Sequence, residues 1–329
     1  MHVSILIPCY NAESWVANAI ESALAQTWPD KEVIVLDDGS TDNSLHVIKS
    51  FGNRIRWETG PNRGSNSARN RLLELSSGEW LQYLDADDYL LKNKVAQQMD
   101  FIARQPDADV IFGPVMLEYT MASDSRLELI PIPEPYDEWV LLARWYLPQT
   151  GAALWRKQAI VEVGGWKQSQ PCCQEHELYL RLLMTGKRFA YCAHSGAVYR
   201  QWSEHTLCKH DTPRVHRHRL EIEQRAEEFL SEQGDLTAER LAAINQARFE
   251  TARMVWVYDP GFAREIVAVM RRSQSGFLPG GLAGPWHYRF AYRLFGFEGA
   301  EKLAALKRLI LARANRHPAR ESSGRNFDE

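Results

Sequence analysis

Val3-Ser4-Ile5-Leu6-Ile7-Pro8-Cys9-Tyr10-Asn11 opens the chain, and its reading decides the fold. Val3 to Ile7 is a short apolar run, closed by Pro8 and followed by the polar pair Tyr10-Asn11. Such a run, with almost no polar alternation, marks a strand covered on both faces and hence a parallel sheet. Working outward, Ala12 to Gln26 predicts a helix, Glu32 to Leu36 a second strand, and Asp42 a cap for a helix to Phe51. Ile55 to Glu58, Trp80 to Leu84 and Asp109 to Phe112 predict further strands, alternating with helices over Ser65 to Leu75 and Lys92 to Arg104. Strands separated by helices of this length require crossover connections and helices on both faces of the sheet.

Ligands of such sheets bind beyond the carboxyl ends of the strands, so polar residues are expected there. Three clusters meet that demand: Pro8-Cys9-Tyr10-Asn11, Asp37-Asp38-Gly39-Ser40-Thr41-Asp42 and Asp85-Ala86-Asp87-Asp88. The carboxylates of the last cluster repel one another unless a cation sits among them, and so few ligands leave positions open for phosphate oxygens. A solvated loop with Asp88 capping the next helix is the alternative. An unpaired Asp in the second cluster suits a base N–H or ribose hydroxyl, and Gly39 admits close backbone approach. The small polar helix start Asn62-Arg63-Gly64-Ser65-Asn66-Ser67-Ala68-Arg69-Asn70 can approach a ligand, with Arg63 or Arg69 facing phosphate. Neither GxGxxG after the first strand nor GxxxxGK[ST] anywhere is present, which removes the main support for dinucleotide and P-loop readings.

Composition bounds the rest. With 329 residues, 45% hydrophobic and 25% charged, the chain is globular rather than disordered or fibrous, and long enough for about two domains. A net charge of -3 offers no global attraction to nucleic acid. No apolar run approaches the ~18 residues of a membrane span, and the start lacks the basic region and cleavage site of a signal peptide. Five scattered cysteines, Cys9, Cys172, Cys173, Cys192 and Cys208, suggest reduced thiols and a cytoplasmic protein. Cys172-Cys173 with Cys192, His194, Cys208 and His210 match no zinc-site spacing.

Taken together and in order, the four motifs beginning at Val3, Asp37, Asn62 and Asp85 resemble glycosyltransferase family 2, over roughly residues 1 to 205. The resemblance implies a GT-A fold, α/β with a mostly parallel central sheet and helices on both faces. It implies an inverting transfer from a nucleotide-diphospho-sugar, usually a uridine one, assisted by a divalent cation, Mn²⁺ or Mg²⁺. Carried over by position, Pro8, Tyr10, Asn11 and Glu13 would frame base and ribose, Asp38 would contact the base edge, and Asn62, Gly64, Arg69 and Asp85 would complete the donor site. Asp87, with Asp85, would hold the ion.

An inverting transfer needs a base for the acceptor hydroxyl, and the family places an acid at a helix start in its acceptor half. Here Glu175 takes that position. Glu175, Leu178, Tyr179 and Leu182 share one helical face, whereas Glu177 is turned about 160° away and is expected to orient the segment on the acceptor side with Asp88. The sequence departs from the family twice. Gln174 stands where Glu is common, and Trp202 stands where a metal-binding His often falls. His205 either replaces that His, or Trp202 supplies a stacking wall on the acceptor side.

Residues 1–205 are thus expected to form the catalytic domain, 1–115 holding the nucleotide-sugar and 116–205 the acceptor, a glycan or lipid-linked glycan. Residues 118–148 read as an irregular connection with one helix, and 206–329 as a helical C-terminal region. Between Trp286 and Arg320 there are eight Lys/Arg and two Glu, interleaved with aromatics. That stretch reads either as a peripheral contact for an anionic membrane through 286–320 or as a packed helical cap. A sugar nucleotidyltransferase and a catalytically silent sugar-nucleotide or protein-binding module of the same fold are the competing functions.

Overall fold

The computed structural model describes residues 1–120, 125–194, 196–201 and 212–314. They divide into two compact units, Met1–Arg240 and Leu241–Glu329.

In the first unit the apolar runs form one seven-stranded sheet. Its strands are β1 (Val3–Cys9), β2 (Lys31–Asp37), β3 (Arg56–Thr59), β4 (Trp80–Tyr83), β6 (Val110–Phe112), β9 (Leu154–Arg156) and β10 (Phe189–Tyr191), in the order β10-β6-β9-β4-β1-β2-β3. β1 is parallel to both β2 and β4, so these strands end at the same edge. Val3, Ile5 and Ile7 pack with Val16, Ala19, Ile20 and Ala23 of α1 (Val16–Leu24) and Ile48 of α2 (Ser44–Ser50), while Leu6, pointing to the other face, is equally buried. Cover on both faces explains why the run does not alternate. α1 starts later than its apolar spacing suggests, because the Ala12 amide donates to Ser44 Oγ at 2.8 Å and leaves the helix ladder.

β9 runs antiparallel between β4 and β6. Ahead of it the chain forms a 3₁₀ turn, Thr150–Ala152. An antiparallel strand begins where its parallel neighbours end, so Gln149 and Thr150 arrive at the ligand edge.

The connection expected to be irregular instead carries a hairpin, β7 (Val115–Thr120) and β8 (Ser125–Ile130), within a second sheet of order β5-β11-β7-β8. β5 is Tyr89–Leu90 and β11 is Ala197–Gln201. β8 lies at the sheet edge with Leu127 and Leu129 exposed, which inverts the apolar-in pattern by which a strand is read. α3 (Ser65–Leu75), α4 (Lys94–Ile102), α5 (Glu138–Ala143), α6 (Lys157–Glu162), α7 (Gln174–Met184) and α8 (Thr212–Glu232) complete the unit. Trp139 of α5 stacks on Phe229 of α8, with ring centroids 5.5 Å apart.

The second unit is helical. α9 (Ala238–Val255), within which the division falls, is followed by α10 (Pro260–Ser273) and α11 (Trp286–Ala314), the last kinked at Gly296. Its core centres on the fully buried Phe249, whose ring meets Phe277, Tyr288, Tyr292 and Phe297. Among the described residues no helix is long and apolar enough to cross a membrane.

Candidate active site

The three polar segments that follow β1, β2 and β4 converge on one cavity of about 610 Å³, a size suited to a nucleotide-sized ligand. Pro8, Tyr10, Asn11, Asp38, Asn62, Gly64, Arg69, Asp85, Asp87 and Glu175 all line it. The structure thus brings together ten of the expected site residues.

The loops on the β1–β2 side are braced to one another. Asn11 sits in the left-handed region at φ 49°, and its Oδ1 accepts from the Thr41 amide at 2.8 Å, while its own amide donates to Ser40 Oγ at 3.0 Å. The Asp42 carboxylate accepts from the amides of Glu13 and Ser44 and from Ser44 Oγ. Burial works against its charge, but the Ser44 hydroxyl and those amides together hold its proton affinity below the usual range. Asp38 is buried, and its two oxygens each accept one backbone amide, Arg63 and Gly64, both at 2.9 Å. It is therefore not the unpaired acid expected of that turn: it fastens β2 to the start of α3. Gly39 has φ +74°, and a Cβ there would meet the Asn62 amide nitrogen at 2.6 Å, so the two loops touch where only glycine fits.

On the opposite wall Arg69 is the hinge of the charge network. It donates to Asp85 Oδ1 at 2.8 Å and to Gln174 Oε1 at 2.5 Å, and stacks over Trp166 at 4.8 Å. Gln174 also pairs with Ser65 through its amide nitrogen at 2.9 Å. The glutamine that departs from the family pattern thus joins α7 to α3, where a neutral acceptor leaves Arg69 charge for Asp85.

Glu175 heads α7 after Cys173, which is left-handed at φ 57°. Leu178, Tyr179 and Leu182, its companions on one face, are fully buried. Tyr179 stacks on Trp155 at 4.9 Å and donates to the Pro148 carbonyl at 3.1 Å, anchoring the helix start. Burial raises the proton affinity of Glu175 above its ordinary value. Its own backbone amide and the Arg69 charge oppose that rise, and Asp85 adds to it. Next to it, His176 stacks on Trp145 at 3.9 Å, and burial, with the Arg219 charge, lowers its pKa to about 3.

Three expected site residues lie outside the cavity lining. Glu13 instead accepts from the Asn43 amide at 2.9 Å and braces the loops. Asp88 turns inward, 1% exposed, and accepts from the Arg200 amide at 3.0 Å; α4 is capped at Asn93, so Asp88 caps nothing. Glu177 is likewise 1% exposed, because Arg181 at 2.9 Å and Arg225 at 3.3 Å cover it. Trp202 and His205 lie outside the described residues.

Arg200 was given no role by the sequence, yet it organises the acidic loop. Its guanidinium donates to Glu118, to the Asp87 carbonyl and to Asn18 Oδ1, between the rings of Trp15 and Tyr89. Only the long-range pairing of β11 with β7 creates that environment. Gln149, Thr150, Gln168, Gln170 and Tyr199 also line the cavity without any local motif to announce them.

Asp85 and Asp87 offer hard oxygen donors on the cavity wall, and their charges, after burial, raise the proton affinity of neighbouring Asp88. That donor chemistry fits Mg²⁺ or Mn²⁺ completed by ligand oxygens and water. Among the described residues no group of three His, Cys, Asp or Glu stands close enough to hold an ion alone. Cys9, Cys172, Cys173 and Cys192 are free thiols, Cys9 being pushed up to about 12 chiefly by burial.

A mostly parallel sheet of this order, with an acidic loop after its fourth strand, is the GT-A architecture. Residues 4–161, just under half of the chain, match the family described as glycosyl transferase family 2. An uncharacterized glycosyltransferase of Rickettsia felis is 30% identical over 188 residues, 55% of this chain and 31% of that protein. The chain therefore spans about a third of that relative. The structure of S. aureus TarS 1-349 in complex with UDP-GlcNAc aligns with a TM-score of 0.55 at 15% identity, over 84% of this chain and 91% of the other. A mannosyltransferase from Pyrobaculum calidifontis, in complex with GDP-Man and Mn²⁺, gives 0.51 at 14% identity over 96% and 86%. At these identities the likeness concerns the fold.

Proposed function

We propose that the chain transfers a sugar from a nucleotide-diphospho-sugar, a uridine one by preference, to an acceptor hydroxyl with inversion at the anomeric carbon. The observation that carries this reading is the single cavity in which the braced β1–β2 loops, the Asp85-Asp87 pair and Glu175 meet. Tyr10, half exposed at its rim, offers a flat face for the base, and the Asn62–Gly64 backbone shapes the floor near the ribose. Asp85 and Asp87 would hold a divalent cation, which when bound neutralises charge on the departing diphosphate. Glu175 accepts the proton of the acceptor hydroxyl as its oxygen bonds to the anomeric carbon and the bond to the diphosphate breaks. A carboxylate whose proton affinity is raised by burial is a better base for that step than a solvated one. Glu177, clamped by two arginines, keeps α7 in place. The acceptor is a glycan or lipid-linked glycan in polysaccharide assembly, and the free buried thiols support a cytoplasmic setting.

A panel of nucleotide sugars with Mn²⁺, scored by thermal shift and by the phosphorus-containing product, tests the reading. Release of nucleoside diphosphate is expected; turnover only when pyrophosphate is added, to nucleoside triphosphate and sugar 1-phosphate, would make it a nucleotidyltransferase, and binding without turnover a silent module. Asp87→Ala is expected to weaken cation-dependent donor binding by about 100-fold.

A further inference from the structure

We propose that the outward face of α11 in the second unit docks on an anionic lipid bilayer. This surface is independent of the sugar-transfer site.

Part of α11 belongs to the core: Tyr288 before the kink, and Phe297, Ala300 and Glu301 after it, are buried. The rest carries large apolar groups in water. Trp286, Phe290 and Leu294, four residues apart and therefore on one stripe, are 74%, 63% and 58% exposed. Beyond the non-helical Gly296, Leu303, Leu306 and Leu309 are also exposed, at 46%, 54% and 61%. Scattered exposed apolar residues need no explanation, but so many large ones on two joined helical segments mark a contact surface.

Charge identifies what it contacts. Both acids of the helix are already engaged within the unit. Glu298 accepts from Arg264 at 3.0 Å, and the buried Glu301 accepts from Arg253 at 2.5 Å and Tyr288 at 2.8 Å. The exposed ionic groups that remain among the described side chains of the helix, Arg289, Arg293, Lys302, Lys307 and Arg308, are all positive and alternate in sequence with the exposed apolar residues. A protein partner would match the apolar stripe with its own shape, whereas basic side chains alternating with Trp, Phe and Leu match the headgroup boundary of an anionic leaflet. There Arg and Lys reach the phosphates while their stems lie along the acyl region. The helix is too polar to cross a bilayer, so the contact is peripheral.

The full chain is tested by co-sedimentation with vesicles of phosphatidylcholine alone and of phosphatidylcholine mixed equally with phosphatidylglycerol. Binding is expected to the mixed vesicles only and to weaken with salt. R289E/R293E, and separately K307E/R308E, are expected to reduce it by at least about 25-fold, on the order of fivefold per basic side chain lost. W286S/F290S should reduce binding to the mixed vesicles with the charges intact. All these side chains are exposed, and unchanged circular dichroism melting confirms that each variant folds. Equal binding to both vesicle types, no binding, or indifference to the charge reversals would overturn the proposal. So would sedimentation equilibrium showing a dimer that W286S/F290S dissociates, because a second copy would then cover the stripe.

Discussion

The two walls of the cavity treat their carboxylates in opposite ways. On the nucleotide side, Asp38 and Asp42 accept from backbone amides and Glu13 accepts from the Asn43 amide, so each acid closes one loop onto another. On the acceptor side, Glu175 is partly buried at a helix start with its proton affinity raised, and His176 beside it is held neutral by burial. The first wall is rigid because its charges are satisfied by the chain itself. On the second, Glu175 and His176 are shifted first by desolvation, whereas Glu177 of the same helix is neutralised by Arg181 and Arg225. Acid residues in and around one pocket therefore do two jobs, and hydrogen-bond partners separate the jobs better than residue type does.

Substitutions can sharpen or break this contrast. Glu175→Gln keeps the size and the helix start but removes the base, and transfer is expected to fall by about 10³-fold while donor affinity, measured by calorimetry, stays within about twofold. A comparable fall in donor affinity would move Glu175 to the structural group. Arg200→Leu leaves the partly buried Glu118 without its arginine, and chemical denaturation should show a loss of about 3 kcal/mol. Stability unchanged by that replacement would mean the acidic loop is held by other contacts. Asp38→Ala orphans the amides of Arg63 and Gly64, with an expected cost of about 2–3 kcal/mol and a weaker donor site. A normal stability with lost donor binding would instead make Asp38 a ligand contact.

A separate effect is that of acid. His176 and His216 have pKa values of about 3 and about 4 in the folded chain against 6.5 when exposed, both lowered first by burial and then by Arg219. The unfolded chain therefore binds more protons, so their contribution is complete above pH 6.5 and is lost as pH falls toward the folded values. Each histidine adds a slope of up to about 1.4 kcal/mol per pH unit in that window. Thermal melts from pH 7 to 5 should show falling stability that His176→Phe reduces; a flat profile would mean the histidines are hydrated.

The readable and unreadable parts of the molecule divide along a similar line. β1, β2, β4 and their polar sequels are legible because apolar run and turn chemistry lie within a dozen residues of each other. Glu175 is legible because its helix face is periodic. Arg200, Gln149 and Thr150 are not, because they acquire their surroundings from β11, β7 and β9, whose partners are far away in sequence. The Asp38 carboxylate was visible as a residue but not as a brace, since its amide partners lie 25 and 26 positions on. The β7–β8 hairpin was hidden by its exposed leucines.

The central claim is that one desolvated carboxylate, Glu175, supports a single displacement while the opposite wall holds the donor still. Once the nucleotide-sugar panel yields an active pair, proton NMR of the first product formed tests that claim most directly. The account predicts an anomeric configuration opposite to that of the donor, absent in the Glu175→Gln reaction. A product with the donor's configuration would contradict it, because a single base acting on the acceptor cannot retain stereochemistry.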